Sequence, residues 1–389
     1  MFTAFEPSGD DHASTVIAEL RARRPDMPIY AWGGPKMERA GAVIVERTGD
    51  DAVMGMPGLA KIREHRRINR RIAAWLDANP VAVHVPVDSP AANFPICAIA
   101  KARGARVVHL VAPQVWAWAS WRIRKLRRLT DLVLCLLPFE EAWFLTRGVQ
   151  AKFIGHPLFD EPLDTDELDR RIAAWPSIGA SAAPPGGPAQ PRFALMPGSR
   201  PGELRGSFPV LLDAFRRLRQ VYPHATAVVA ATKPEVAEEL RRRAKSLGGW
   251  PEGMEMISGD TDAVIRWCDV ALVTSGTVTL QVARQRKPMV TFYRFSRLMY
   301  HLLGRWLVST PYFTLPNLIA GKRIVPELIP YFDKDGEEVA MAAVRLLRAP
   351  GAMDEQRAQL AEVCRKLEGR RAARAAAEAI EGVMAGVGR

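Results

Sequence analysis

A serine and an arginine stand directly after an apolar run in the second half of the chain. Residues 193–196 read Phe-Ala-Leu-Met, a proline and Gly198 break the run, and Ser199 and Arg200 follow. A buried strand that ends in this way brings backbone N–H groups, a hydroxyl and a guanidinium to one place, and such groups bind anions. The spacing therefore predicts an anion site formed by Gly198, Ser199 and Arg200.

A second loop of small residues follows another apolar run. Val270–Thr274 is followed by Ser275, Gly276 and Thr277 and then by a helical pattern. Backbone N–H groups at such a helix start favour an anion, although plain N-capping by Ser275 or Thr277 explains the same residues. Two such loops in one half of the chain favour a phosphate or diphosphate site. Neither loop fits the GxxxxGK[ST] pattern, and the lack of GxGxxG disfavours a nicotinamide cofactor.

A carboxylate occupies a comparable position in the first half of the chain. Asp88 follows the apolar strand candidate Val81–Val87 at its very end. A carboxylate at a strand end could take a proton from a substrate hydroxyl as a general base. The alternative is an Asx-turn, in which the side chain only caps its own loop.

Tryptophans cluster in the loop that follows the next strand candidate. Trp116, Trp118 and Trp121 fall within six residues, shortly after Pro113. Core packing explains one or two of them. A wall for a sugar ring or an acyl chain explains their clustering on a loop.

The sequence contains little evidence for a metal site or for a catalytic nucleophile. The seven histidines form no HxH or HExxH pattern, and His156 is interpreted as a buried structural histidine. No GxSxG nucleophile elbow occurs, and the four cysteines have no metal-ligand spacing. Asp10 and Asp11, early in a helix candidate, are interpreted as capping residues. The sequence therefore predicts neither a metal nor a cofactor.

The chain is basic, with 389 residues and a net charge of +12. Its basic segments 59–76, 120–129 and 295–308 are either ordinary helices with solvated faces or a surface for anionic membrane lipid. Nucleic acid is disfavoured because the basic segments contain no zinc-finger, RNA-recognition or helix-turn-helix signature. No apolar run reaches the ~18 residues of a membrane span. With no export signal and dispersed cysteines, a cytoplasmic location is expected.

Short apolar runs alternate with helical patterns along the chain, which is typical of parallel α/β sheets. We predict domains at 1–175 and 192–350, a Pro/Gly/Ala-rich linker at 176–191, and a helical segment at 351–389. Each domain is expected to be a doubly wound, Rossmann-like parallel sheet, with ligands outside the carboxyl ends of the strands and a main site in the cleft between the domains. The last segment is expected to pack on the first domain or on a partner, as in a homodimer.

Short motifs occur in order along the chain: Glu6-Pro-Ser-Gly-Asp10, Gly34-Pro-Lys-Met37, Val53-Met-Gly55, Asp88-Ser-Pro-Ala-Ala-Asn93, Pro113-Gln-Val-Trp-Ala-Trp118, Leu137-Pro-Phe-Glu140, Ile154-Gly-His156, Met196-Pro-Gly-Ser-Arg200, Ser275-Gly-Thr277 and Leu315-Pro-Asn317. This ordered set resembles the lipid-A-disaccharide synthase family of inverting glycosyltransferases. The motifs occur in the family's order and cover nearly the whole chain.

This resemblance implies a GT-B fold and transfer of 2,3-diacylglucosamine from its UDP ester to 2,3-diacylglucosamine 1-phosphate (lipid X), forming a β-1′,6 link. Asp88 would be the catalytic base, and Arg200 would neutralise charge on the departing diphosphate. The first domain would bind the acceptor, through Ser8, Gly9, Asp10, Asn93, Gln114, Trp116 and Trp118. The second would bind the donor, through Gly198, Ser199, Arg200, Glu203, Ser275, Gly276, Thr277, Gln281 and Asn317. Glu203 would orient Arg200 or contact a ribosyl group.

Further expectations concern location and departures from the family pattern. The enzyme would work without a metal, peripherally on the inner face of the cytoplasmic membrane. The family usually has a glutamate at Gln281, an arginine at Ala119 and another glutamate near Gly58. Without a charge, Gln281 would hold a nucleotide ribose less firmly or select another nucleotide. The alternatives are another GT-B enzyme acting on UDP-sugars (an N-acetylglucosaminyltransferase or an epimerase) and a noncatalytic, membrane-binding relative.

Overall fold

The chain forms two compact units, which we describe in a computed structural model. The structure describes residues 1–48, 59–175, 190–297, 300 and 310–386. The first unit comprises Met1–Glu161 and Leu367–Arg389, and the second comprises Pro162–Lys366. The predicted motif Val53-Met-Gly55, the departure at Gly58 and nearly all of the predicted linker lie outside the described residues, as does most of the basic segment 295–308.

The first unit is a seven-stranded parallel sheet with the order β3-β2-β1-β4-β5-β6-β7. Its strands are β1 (Phe2–Thr3), β2 (Tyr30–Gly33), β3 (Val43–Arg47), β4 (Val83–Pro86), β5 (Arg106–Leu110), β6 (Leu132–Cys135) and β7 (Ala151–Phe153). Its helices up to that point are α1 (Pro7–Arg23), α2 (Pro35–Arg39), α3 (Leu59–Ala78), α4 (Pro90–Lys101), α5 (Ile123–Leu129) and α6 (Pro138–Leu145).

The second unit is a six-stranded parallel sheet with the order β10-β9-β8-β11-β12-β13. Its strands are β8 (Arg192–Met196), β9 (Thr226–Ala231), β10 (Met254–Ser258), β11 (Val270–Thr274), β12 (Met289–Arg294) and β13 (Glu327–Tyr331). Its helices are α7 (Thr165–Ala173), α8 (Pro201–Val221), α9 (Pro234–Ser246), α10 (Thr261–Trp267), α11 (Val278–Arg284), α12 (Leu315–Ala320), α13 (Glu337–Arg348) and α14 (Ala352–Arg365).

Helices cover the faces of both sheets. The strands are therefore buried, which explains why their sequences are apolar. All four residues of β4 and all five of β11 are buried, as expected for parallel strands covered on both sides. The predicted α/β class with two parallel-sheet domains is confirmed. In each sheet the strand order reverses beside the first strand, between β1 and β4 and between β8 and β11. At these switch points the loops that leave the carboxyl ends of the strands diverge, which leaves room for a ligand.

The structure divides the chain earlier than the predicted boundary at residue 175. Helix α7 belongs to the second unit, where Asp169 accepts two hydrogen bonds from Arg266, with N–O distances of 2.9 and 2.8 Å. The ring centroids of Trp175 and Trp267 also lie 6.5 Å apart. Arg266, the partner of Asp169, lies 97 residues further along the chain, so no local sequence pattern marks this boundary.

The C-terminal segment is two helices instead of one continuous helical stretch. Helix α14 packs on the second unit, where the Gln356 side chain accepts the Met289 N–H at 2.6 Å. Residue Gly369, with φ of +80°, lies between α14 and α15 (Ala372–Ala385). Helix α15 packs against α1 in the first unit, and Asp160 accepts the N–H groups of Ala372 and Ala373 at 2.7 and 3.3 Å.

The basic segment 59–76 forms the amphipathic helix α3. Ile68, Ile72 and Leu76 are buried, whereas Arg66 and Arg67 are exposed. Among the described residues, no helix is both long and apolar enough to cross a membrane.

Candidate active site

A pocket of about 360 Å³ lies at the switch point of the second sheet. Its wall is formed by the loops that follow β8, β9 and β11, by Thr261 at the start of α10 and by Tyr293 in β12. The lining residues are Met196, Gly198, Ser199, Arg200, Glu203, Ala230, Thr232, Thr261, Thr274, Ser275, Gly276, Thr277, Val278, Gln281 and Tyr293. The structure thus brings the two predicted anion-binding loops and Gln281 together around one space.

Glu203 organises the turn that carries Arg200. Its carboxylate accepts the backbone N–H groups of Ser199 and Arg200 at 3.3 and 3.4 Å and the Arg200 guanidinium at 3.2 Å. The Glu203 side chain is 13% exposed and that of Arg200 is 55% exposed. Glu203 therefore holds the base of the turn, while the guanidinium extends from it toward solvent. Of the two alternatives raised by the sequence, the geometry favours orientation of Arg200.

Gly198 is required for this arrangement. It has φ of +93°, and a Cβ at this position would lie 2.5 Å from the Glu203 carboxylate. We expect Gly198→Ala to lower the free energy of unfolding by about 1–3 kcal/mol and to weaken anion binding. Chemical denaturation and pyrophosphate-induced thermal shifts would measure both effects.

Gly202→Ala is the matched control for this variant. Gly202 lies in the first turn of α8, which begins shortly after Gly198. A Cβ at Gly202 would meet no atom within 4 Å. Equal destabilisation by the two alanines would contradict the role assigned to the Gly198 turn.

The loop after β11 supplies hydroxyl groups to the same pocket. Thr277 occupies the N-cap of α11 but makes no side-chain capping bond, so capping does not explain it. The Thr274 hydroxyl is buried and has no hydrogen-bond partner among the described residues. Thr232, Thr261 and Tyr293 also line the pocket. The sequence pattern does not reveal these three residues or Thr274 as site residues, although Thr274 ends the predicted strand Val270–Thr274 and directly precedes the predicted anion-binding loop.

Asn317 does not reach this pocket, which corrects the prediction that it contacts a donor. Its amide nitrogen donates to Val325 and Glu327, both at 3.1 Å, and its amide oxygen accepts the N–H groups of Ile324 and Val325. The side chain is fully buried. Asn317 therefore stabilises the loop between α12 and β13.

In the first unit, Asp88 lies in a strained turn at the end of β4. Asp88 and Ser89 both have left-handed backbone conformations, with φ of 46° and 34°, which cost of the order of 1–3 kcal/mol each for residues other than glycine. The Ser89 hydroxyl donates to Glu6 at 2.7 Å. The turn thus meets the loop after β1 at the switch point of the first sheet. Such strain is common where a side chain must be held for function.

Three residues predicted to contact an acceptor have internal roles instead. The Asp10 carboxylate accepts the N–H groups of Gly34, Lys36 and Met37, at 3.0 to 3.1 Å, and so caps α2. Gly9 allows α1 to approach β1 closely, because a Cβ there would lie 3.1 Å from the Ala4 methyl. The Asn93 amide is fully buried among backbone groups of the Asp88 turn. Ser8 is exposed at the start of α1.

The tryptophan loop contains one buried and two exposed rings. The Trp116 indole N–H donates to Glu140 at 2.8 Å, and its ring packs edge-on against Phe139. This ring is part of the core and does not form the predicted wall. Trp118 and Trp121 are 49% and 61% exposed, and Gln114 is exposed beside them. These three exposed side chains of the loop are available to contact a large substrate.

Burial raises the pKa of Glu140 to about 7, despite the hydrogen bonds from Trp116 and Leu137 that favour the charged form. Because the pKa is raised in the folded state, Glu140 favours folding below about pH 4.5 and loses this contribution as pH rises toward 7. We expect stability to fall by roughly 3 kcal/mol across this window from this group. In Glu140→Gln this part of the pH dependence should vanish. Urea unfolding from pH 4.5 to 7.5 would measure it, and an unchanged slope in the variant would contradict the assignment.

His156 has the predicted structural role, since it is buried and its Nδ1 accepts the Leu158 N–H at 3.2 Å. Burial lowers its pKa to about 4. Within the described ranges, no group of His, Cys, Asp and Glu side chains could hold a metal ion. That the reaction needs no metal or cofactor stays a prediction.

Comparison with known proteins identifies the relatives of this chain. A sequence model of the family described as lipid-A-disaccharide synthetase matches residues 1–383. The lipid-A-disaccharide synthase of Myxococcus xanthus is 33% identical over 382 residues, which cover 98% of this chain and 96% of the relative. That of Pseudomonas entomophila is 36% identical over 333 residues, 84% of each chain.

Solved structures share the fold at low sequence identity. The glycotransferase of kitacinnamycin superposes with a TM-score of 0.62 at 14% identity and covers 98% of both chains. The UDP-GlcNAc 2-epimerase of Neisseria meningitidis, solved with UDP-GlcNAc, has a TM-score of 0.58 at 12% identity and covers 99% of this chain and 98% of its own. The fold is thus that of GT-B glycosyltransferases and related epimerases. With the family match over nearly the whole chain, we conclude that it belongs to the lipid-A-disaccharide synthase family and is a glycosyltransferase.

Proposed function

We propose that this enzyme transfers 2,3-diacylglucosamine from UDP-2,3-diacylglucosamine to 2,3-diacylglucosamine 1-phosphate with inversion. The products would be the β-1′,6-linked disaccharide 1-phosphate and UDP. The observation that carries the proposal is the pocket of the second unit, where Arg200 and two loops of N–H and hydroxyl groups surround one space. A diphosphate leaving group needs such a site.

The second unit is proposed to bind the donor. Arg200, Ser199 and the loop Ser275–Thr277 would contact the diphosphate, and Gln281 would accept one ribose hydroxyl through its amide oxygen. A structural relative that carries UDP-GlcNAc supports a nucleotide sugar as ligand for this fold. The Tyr293 phenol also lines this pocket, and burial raises its pKa above the usual value.

The first unit is proposed to bind the acceptor, with Asp88 as the base. Asp88 would take the proton of the acceptor 6-hydroxyl while its oxygen attacks the anomeric carbon from the face opposite the diphosphate. The bond between the anomeric carbon and the diphosphate would break in the same displacement, with its electron pair leaving on UDP, and attack from the opposite face would invert the configuration. Arg200 would stabilise the negative charge that grows on the departing UDP. Neither a metal nor a cofactor takes part in the proposed step.

A peripheral membrane location fits acylated substrates. Trp118 and Trp121 are exposed, and Arg122 lies near the Trp118 ring, with 5.7 Å between the guanidinium carbon and the ring centroid. Aromatic rings and basic groups together favour an interface with anionic lipid. We propose that the enzyme works on the inner face of the cytoplasmic membrane. A homodimer stays a prediction.

A direct assay tests the reaction. The protein is incubated with UDP-2,3-diacylglucosamine and 2,3-diacylglucosamine 1-phosphate, and mass spectrometry detects the disaccharide 1-phosphate. Parallel reactions contain UDP-N-acetylglucosamine, with and without an acceptor. Turnover of UDP-N-acetylglucosamine alone would support an epimerase or an N-acetylglucosaminyltransferase. Vesicle binding without turnover of either donor would support a noncatalytic relative.

A further inference from the structure

A continuous set of buried hydrogen bonds ends on the backbone of the Asp88 turn. The amide nitrogen of Asn93 donates to the carbonyl oxygens of Val87 and Asp88, both at 3.0 Å. The Thr3 hydroxyl lies 2.7 Å from the Asn93 amide oxygen. The His84 Nε2 atom lies 2.9 Å from the same hydroxyl. Three side chains from β1, β4 and α4 are therefore linked in a row.

The direction of every bond in this row is determined. The Asn93 amide nitrogen donates to two carbonyls, so its oxygen is the acceptor for Thr3. Thr3 therefore uses its single proton toward Asn93 and must accept from His84 Nε2. His84 therefore donates its Nε2–H to Thr3, and burial lowers the pKa of its imidazole well below the usual value. The row runs in one direction, from His84 through Thr3 and Asn93 to the turn.

The three side chains of this row are shielded from solvent. Thr3, His84 and Asn93 are all fully buried, so water cannot replace a lost partner without a local opening. The turn itself has φ of 46° at Asp88 and 34° at Ser89, a conformation that persists only where neighbouring groups enforce it. Further restraints on this turn include the Asp88 N–H bond to the Leu110 carbonyl, at 3.0 Å, and the Ser89 hydroxyl bond to Glu6. The backbone N–H groups of Ala92 and Asn93 also donate to the Ser89 carbonyl, both at 3.1 Å.

We infer that Thr3, His84 and Asn93 are positioning residues that hold the strained backbone of Asp88 so that its carboxylate meets the acceptor hydroxyl. This inference rests on the proposed role of Asp88 as the base. None of the three side chains needs to touch a substrate, because they act through the Val87 and Asp88 carbonyls. The predicted contact of Asn93 with the acceptor is replaced by this indirect role.

The test removes one link while preserving shape. Thr3→Val is nearly isosteric and breaks the row between His84 and Asn93, whereas Thr3→Ser retains the hydroxyl. We expect Thr3→Val to lower kcat about tenfold with KM for both substrates within about twofold, because misplacement of a base affects the chemical step more than binding. Thr3→Ser should retain most of the kcat of the unmodified enzyme.

Thr291→Val is the control for loss of a buried hydroxyl. Thr291 is equally buried in β12 of the second unit, and its hydroxyl donates to Pro326 at 3.0 Å. This variant should lower the melting temperature about as much as Thr3→Val but leave kcat unchanged. If kcat falls equally in both valine variants, or in neither, the positioning role is wrong.

A double-mutant cycle separates this inference from the proposed function. Thr3→Val in an Asp88→Asn background should cause no further loss of kcat, because both changes act on the same group. If Asp88→Asn alone leaves kcat unchanged, the proposed base is wrong. If Asp88→Asn lowers kcat but Thr3→Val does not, or if the two losses multiply, the base stands and the positioning inference fails.

Discussion

Asp88→Asn is expected to lower kcat for disaccharide formation by a factor of about 10²–10⁴, the usual contribution of a general base. Asparagine has nearly the same shape as aspartate but cannot accept the proton of the acceptor hydroxyl. Because donor binding is proposed to use residues of the second unit, the thermal shift induced by UDP should not change. Steady-state kinetics and thermal melts with UDP would measure the two effects together.

Asp77→Asn serves as the control for loss of a carboxylate in the same unit. Asp77 is exposed and accepts a hydrogen bond from Arg103 at 2.7 Å, and it lies in α3, away from the Asp88 turn. This variant should retain full activity. An Asp88→Asn enzyme with at least a third of the original kcat would show that another group removes the proton.

Arg200→Ala should lower kcat by about 10²–10³, since it removes a cation from the place where charge develops. It should also reduce the rise in melting temperature caused by UDP, because that rise depends on the ratio of ligand concentration to Kd. Arg200→Lys retains the charge but loses the planar guanidinium that can bind a phosphate through two N–H groups. Activity of the lysine variant should therefore lie between those of alanine and arginine.

Arg205→Ala is a matched control for this experiment. Arg200 directly precedes α8, and Arg205 is exposed within this helix, just over one turn further along. Arg205 does not line the pocket. Loss of one positive charge there should change neither kcat nor the UDP shift. Equal losses in the Arg200 and Arg205 variants would point to a general electrostatic effect of this basic surface.

The strand ends that carry the candidate site could be predicted from the sequence. Periodicity placed Ser199 and Arg200 after β8, Ser275 after β11 and Asp88 after β4, and parallel sheets align these ends at one edge. Local sequence suffices here because the break between an apolar strand and its loop is a local feature. The order of strands within the sheets could not be predicted in this way, since it depends on contacts between distant segments.

The individual roles of polar residues were less predictable. The sequence predicts Asp10 both as a cap and as an acceptor contact, and the structure shows it capping α2, which lies some 25 residues further along the chain. Asn93 and Asn317 looked like ligand-binding residues because they fall in motifs of the family. Their amides are instead saturated by backbone groups that no local pattern reveals. Motif membership indicates that a residue matters, and the hydrogen-bond partners show how.

The packing of α15 against α1 has a consequence for the order in which the two units fold during translation. Residues such as Ala13 and Ile17 of α1 share a core with Ala376 and Ile380 of α15, and the entire second unit lies between them in the chain. During translation α1 is synthesised first, and the whole second unit is synthesised before α15. Until α15 is synthesised, the apolar residues of α1 that it covers stay exposed. The second unit can therefore complete its core before the first.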